Sequence, residues 1–272
     1  MWHYKLGYLP FSTINRMSMC GELPTRLHKA HDPMCVACQY GKATRRAWRT
    51  KSTPNKISGQ KTITKAGQCV SIDQMVSPIP GLIAQMKGIP TKARYTGATI
   101  FVDHFSDITY VHLQKSLSAA ETIEAKHAFE RWTNSCGVKV THYHADNGRF
   151  AETAFMADVA VKGQTISFCG VNAHFQNGRA ERRIRSLQDM ARTQLLHAAV
   201  RWPTAITTNL WPYAITNVSN SMNDSPAKDQ KVTRMERFTQ SGVRPNLKHH
   251  HHIGVPVYVL INELQSGKKV PK

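Results

Sequence analysis

Three acidic residues stand where carboxylates could do chemistry. Asp73 lies inside CVSIDQMV, a run that reads as a strand, and it is the only acid between Asp32 and Asp103. A strand interior normally carries an apolar or neutral residue at such a place. Asp146 follows VKVTHYHA and opens Asp-Asn-Gly, so it falls at the C-terminal end of a strand, where open α/β sheets place their ligands. Glu181 heads a polar row with Arg185, Gln188 and Arg192, beside an apolar stripe of Ala180, Ile184, Leu187, Ala191, Leu195 and Ala198 at helical spacing. A first-turn acid also suits the helix macrodipole. Each residue has a plain alternative: a strand-end Asp facing water, a turn-forming Asp-Asn-Gly, an exposed Glu paired with the Arg one turn on. Taken together, three hard carboxylates can hold two Mg²⁺ or Mn²⁺ ions about 3.5–4 Å apart, one activating a nucleophilic oxygen and the other stabilising the leaving oxygen of a phosphodiester.

Charge points to the same substrate class. The 272 residues carry 36 Lys and Arg against 17 Asp and Glu, a formal charge of +19, and the pI is about 9.9. With 41% hydrophobic residues the chain can build a core, so disorder is excluded as the explanation of its polarity. A folded chain this basic implies a polyanionic partner, with nucleic acid ahead of an anionic membrane. Residues 39–66 form a basic linker containing Lys42, Arg45, Arg46 and Arg49 and no acid. Charge runs are commonly only a solvated face, yet a face meeting water alone mixes signs, and this one does not. No apolar run is long enough to span a membrane, and no signal-like leader opens the sequence. Six dispersed cysteines make no disulfide framework. Only Cys35 and Cys38 are close, which suggests metal in a reducing, intracellular compartment.

The elements that must position these groups follow from periodicity. Residues 68–76 read as a strand followed by a Pro/Gly-rich loop through residue 90, and 97–103 with 108–114 read as a hairpin. A helix over 118–135 ends at Gly137. A strand over 138–145, a short helix over 152–161, a strand over 165–169 and a long helix over 178–199 come next. Pro203 is expected to open a last helix through residue 221. This order, β-β-β-α-β-α-β-α-α, implies an α/β fold with a mixed five-stranded sheet flanked by helices, an RNase H-like succession. After residue 226 the composition turns polar and basic.

On these residues the chain resembles the integrase core of copia-type retrotransposons, within the retroviral integrase superfamily. The resemblance is carried by SIDQM, IFVDHFSDITYV at 100–111, HADNGRF at 144–150 and QNGRAERRIRSLQDMART at 176–193. WHYKLG at 2–7 and CVACQYGKATR at 35–45 resemble the family's zinc-binding pre-integrase segment, and RPNLKHHHHIGVPVYVL at 244–260 the segment after its core. The resemblance implies that Asp73, Asp146 and Glu181 are the catalytic triad and hold the Mg²⁺ ions. It also implies that Arg182 and Arg185 face DNA, that Asn177 belongs to a mobile loop, and that the chain works as a homo-oligomer in the nucleus or a virus-like particle. Thirty-four residues separate Asp146 from Glu181, one fewer than the family spacing.

The zinc pattern of the family is two histidines followed by two cysteines. His3, Cys35 and Cys38 match three of these positions, while Tyr8 takes the place of the second histidine. Structural zinc takes four Cys or His donors, so His28 or His31 would have to substitute, or the module has lost its metal. The expected organisation is a zinc-finger-like N-terminal module and linker at 1–60, a catalytic core at 61–226 and a basic segment at 227–272. The expected function is joining of element DNA ends to target DNA. Two alternatives stand beside it: a remnant that binds nucleic acid without catalysis, and a structure-selective nuclease on the same fold.

Overall fold

The computed structural model describes residues 1–29, 32–42, 63–84, 91–169, 177–242 and 244–257. Three short helices come first, α1 (Trp2–Lys5), α2 (Phe11–Met19) and α3 (Val36–Gly41). Three antiparallel strands follow, β1 (Val70–Gly81), β2 (Tyr95–Asp103) and β3 (Thr109–Gln114), and then α4 (Ala119–Ser135). The remaining elements are β4 (His142–Ala145), α5 (Thr153–Val161), β5 (Thr165–Phe168), α6 (Gly178–Arg201), α7 (Trp211–Asn223) and α8 (Arg234–Thr239). The sheet order is β3-β2-β1-β4-β5, with β4 and β5 parallel to β1. This is the expected RNase H-like mixed sheet.

Alternation along β1 sorts the two faces. Val70 and Ile72 join Phe101, Phe129, Tyr143 and Phe155 in one apolar cluster under α4 and α5. Met75 turns to the other side with Ala98, Ile100 and Val102, and meets Leu187 and Met190 of α6 and Trp211, Ile215 and Val218 of α7. Period-two alternation in the strands and the 3.6-residue stripe of α6 therefore meet on one face. The β2–β3 turn is built around Asp103, a fully buried carboxylate. It accepts the Gly67 N–H at 2.8 Å, and the Ser106 N–H and hydroxyl at 2.7 Å each.

Three boundaries depart from expectation. The strand does not stop at Val76, for β1 continues to Gly81 through Pro78 and Pro80, while residues 85–90 of the expected loop lie outside the described residues. β4 pairs with β1 only at Val70 and Ser71, so the later part of β1 has an open edge, where a missing N–H is tolerated. Pro203 does not open a helix; α7 starts at Trp211 with Pro212 in its first turn. The strand expected from residue 138 is paired only from His142, because Gly137, at φ +75°, closes α4 and Val138 N–H still bonds back to Thr133.

Both ends of the described chain pack on this centre. Leu6, Leu9, Ile14 and Met17 lie in the same apolar cluster as Leu187 and Trp211. Past residue 226, His250 Nε2 pairs with Asp224 at 2.7 Å, and Trp202 Nε1 donates to the Gly254 carbonyl at 2.8 Å. No helix among the described residues is long and apolar enough to cross a membrane.

Candidate functional site

The register of two parallel strands sets the first pair of acids. Ser71 lies opposite His144. Two residues further along each chain come Asp73 and Asp146, on the same side of the sheet as that pair. Adjacent strands run about 4.8 Å apart, so both acids follow closely on a paired position of neighbouring strands, Asp146 just past the end of β4. Asp73 Oδ1 accepts the Gln74 N–H at 2.8 Å, and Asp146 Oδ1 accepts the Gly148 N–H at 3.2 Å. Asp-Asn-Gly is therefore turn chemistry as well: Asn147 Nδ2 donates to the Cys169 carbonyl at 2.9 Å and ties the end of β4 to the chain leaving β5.

Glu181 sits exposed in the first turn of α6. The start of that helix is fastened beside Asp73, since Asn177 Nδ2 donates to the Ile72 carbonyl at 3.0 Å. Cys169 reports on both of the other acids. Its thiol is pushed above the usual range by burial first, and then by the negative charges of Asp146 and Glu181. Asp146 and Glu181 thus both lie near Cys169, and the start of α6 is tied to β1 next to Asp73. The three carboxylates do not close around one point: among the described residues, only His3, Cys35 and Cys38 bring three ligating atoms within 4.8 Å of one another.

The same sheet face carries residues that the acids alone did not draw attention to. His104 Nε2 pairs with Ser71 Oγ at 2.7 Å, and His144 Nδ1 with Ser167 Oγ at 2.9 Å. His144 Nε2 lies 3.7 Å from Cys169 Sγ. Burial first, and Arg179, His144 and His142 after it, draw His104 down to about 4. Burial and His144 likewise lower His142. The His104 and His142 rings are therefore held neutral near pH 7, and they present hydrogen-bonding groups on the face that carries the acids. The signal was present in HYHAD, whose alternation puts His142, His144 and Asp146 on one face.

The basic residues divide. Arg182 and Arg185 are exposed on α6, on the turns that follow Glu181. Asn177, expected in a DNA-facing loop, is buried instead, because its amide makes the junction with β1. Lys42 is turned inward, its Nζ donating to the Tyr8 carbonyl at 3.1 Å. Arg45, Arg46 and Arg49 lie outside the described residues. Asp107, at φ +65°, draws Arg179, Arg183 and Arg234 together at 3.6, 2.5 and 3.1 Å, anchoring the first turns of α6 from below.

A second cluster forms on the N-terminal helices. His3 Nδ1 donates to the Leu9 carbonyl at 2.9 Å, which leaves Nε2 facing Cys38 Sγ at 3.2 Å. Cys35 caps α3, its sulfur accepting the Cys38 N–H at 3.4 Å. Burial above all keeps His3 neutral, at about 4, and pushes the Cys38 thiol up to about 11. A His fixed through its far nitrogen next to two sulfurs is a donor set suited to zinc. Tyr8 is buried with its ring edge-on to His3 at 5.1 Å. His28 is not in the group, and its Nδ1 is buried without a partner. His31 lies outside the described residues.

No protein family matches the sequence, and no curated protein does. Among solved structures, the chain is similar to the HTLV-2 integrase catalytic core domain in complex with magnesium. That likeness has 19% identity and a TM-score of 0.44, and covers 64% of this chain and 97% of that one. It is similar to a simian T-cell lymphotropic virus intasome in complex with PP2A regulatory subunit B56 gamma, at 15% identity over 72% of this chain and 61% of that chain, TM-score 0.49. The catalytic core domain of BIV integrase gives 16% identity over 64% of this chain and 95% of that one, TM-score 0.44. Likeness this distant adds no weight to any individual residue, whose role must stand on the geometry above.

Proposed function

We propose that this chain is a divalent-metal-dependent polynucleotidyl transferase acting on DNA, of the retroviral integrase superfamily and with motifs like those of its copia-type branch. The observation that carries the proposal is the β1–β4 register, whose Ser71–His144 pair comes two residues before Asp73 and Asp146 on their chains. Mg²⁺ or Mn²⁺ held there would supply electrostatic stabilisation of the attacking and leaving oxygens. Asp73 and Asp146 supply fixed oxygen donors from strands. Glu181 supplies a third from a helix start that Asn177 ties to β1. Arg182 and Arg185, exposed on the same helix, are disposed to meet phosphates, a contact that positions DNA without reading its sequence. The His104 and His142 imidazoles on this face, lowered by burial, hydrogen-bond without adding a competing cation. On this reading the reaction is strand transfer, with or without end processing, by a homo-oligomer in the nucleus or a virus-like particle, and the trio His3, Cys35 and Cys38 holds zinc.

The test is joining of a short labelled duplex to a plasmid in Mg²⁺ or Mn²⁺, with Asp146→Asn as control. Joined product that falls to background in the control is the expected result. Nicking without joining would replace the transferase with a nuclease on the same fold. Wild type and Asp146→Asn that both bind DNA yet give no metal-dependent product would overturn catalysis altogether.

A further inference from the structure

The His3–Cys35–Cys38 group differs in one respect from a closed structural site. Structural zinc is enclosed by four protein donors, whereas an ion with three protein donors keeps a position for a molecule from solution. Here the ligating atoms of the three residues lie within 4.8 Å of one another, and among the described residues no fourth Cys, His, Asp or Glu joins them. Tyr8 holds the place of a fourth donor in sequence, but its ring is packed into the interior against Tyr4 and His197, with centroids 5.5 Å away from each. Tyr8 thus walls one side of His3.

Among the described residues the other side is open. A cavity of about 220 Å³ is lined by His3 and Cys35 together with Trp2, Phe11, Asn15 and Asp32. Two of the three ligand residues therefore face the same hollow. Asp32, an exposed residue on its wall, is held by Asn15 Nδ2 at 3.4 Å. The walls are largely aromatic and aliphatic, and the space is larger than one water needs. It suits a flat or small donor of the size of an imidazole or a short thiol. The donors themselves are kept in place from outside the hollow: Leu9 accepts from His3 Nδ1, and the start of α3 holds Cys35 through the Cys38 N–H. A frame fixed in this way does not collapse on the metal to fill its fourth position.

We propose that zinc bound by His3, Cys35 and Cys38 keeps its fourth coordination position open to this cavity, where a small nitrogen or sulfur donor from solution binds the metal. This rests on reading the trio as a zinc site. Its consequence is a site that exchanges ligand, and is more readily stripped by chelators than a four-donor site of the same fold.

The full chain would be purified, its metal content measured, and zinc replaced by Co²⁺, whose visible bands follow coordination. One metal per chain is expected, lost on Cys35→Ser. Imidazole or 2-mercaptoethanol should shift the cobalt bands saturably while the metal stays bound. His28→Ala, His31→Ala and Asp32→Ala should retain full metal content and the same spectrum. One metal per chain with bands that ignore both donors overturns the open position and leaves the zinc site standing. Loss of metal in one of the three alanine variants, with circular dichroism unchanged, overturns it as well and names the fourth ligand. Absence of metal from wild type and Cys35→Ser alike overturns the zinc reading itself.

Discussion

At the scale of single residues, the acids that chemistry singles out depend on one that it does not. Asp107 occupies a left-handed turn position and gathers Arg183 and Arg234, whose side chains are 8% and 12% exposed. Burial works to raise the Asp107 carboxyl, but Arg183 and Arg234 together outweigh it and hold it below the ordinary carboxylate value. Burial, with Arg183 adding, draws Arg234 down to about 10. Removing the carboxylate would leave two guanidiniums packed without a counter-charge. Asp107→Asn is therefore expected to lose about 3–5 kcal/mol of stability at pH 7, the usual cost of breaking a buried pair from one side. A carboxyl depressed in the folded state contributes above its unfolded pKa of about 3.9, and loses that contribution as pH falls through the lower folded value. Urea unfolding of both proteins should accordingly show a gap that is constant from pH 7 to about 5 and narrows below about 4. A gap independent of pH would mean that the substitution acts through shape and not charge. Asp107 was not readable as important, because its partners come from residues more than seventy positions away.

At the scale of elements, close approach between helices makes a sharper demand than propensity does. Gly41 ends α3 against α6, and a Cβ there would stand 2.2 Å from Thr193 Oγ1 and 2.7 Å from the Thr193 Cα. Gly41→Ala should push the two helices apart at a cost of about 1–3 kcal/mol, visible as a fall of several degrees in Tm. Gly242→Ala, where a Cβ meets nothing within 4 Å, is the control that should leave Tm unchanged. Equal melting of the two variants would show that α3 is not docked as described. The β-β-β-α-β-α-β-α-α order was readable because each element carries its own period: alternation in the strands, the Ala180–Leu187–Ala191–Ala198 stripe in α6. What misled was proline. Pro203 looked like a helix opener, and Pro78 and Pro80 looked like a loop. Whether a proline starts a helix or rides on an open strand edge depends on which neighbours lack a partner, and that is a property of the sheet.

At the scale of the whole molecule, the N-terminal segment was expected as a zinc-finger-like module and linker at 1–60. In the structure Leu6, Leu9, Ile14 and Met17 complete an apolar cluster with α6 and α7. A one-dimensional pattern shows that these residues are apolar, not which surface they cover. That docking sets α3, which carries Cys38, against the helix that carries Glu181, Arg182 and Arg185. The chain as a whole carries a charge of +19. If it serves phosphates, binding releases counterions, and log affinity falls linearly with log salt by about 0.9 per phosphate neutralised. Fluorescence anisotropy with a random-sequence duplex, repeated from low to high salt, should give a steep slope with little dependence on sequence. Arg182→Ala together with Arg185→Ala should reduce that slope by roughly 2, and neutralising Arg45, Arg46 and Arg49 should reduce it by roughly 3. Lys42→Ala should leave it nearly unchanged, since the Lys42 ammonium is engaged by the Tyr8 carbonyl. An unchanged slope in the first two variants would make these arginines a solvated face, and a Lys42 effect as large as theirs would mean that this lysine leaves Tyr8 to meet DNA.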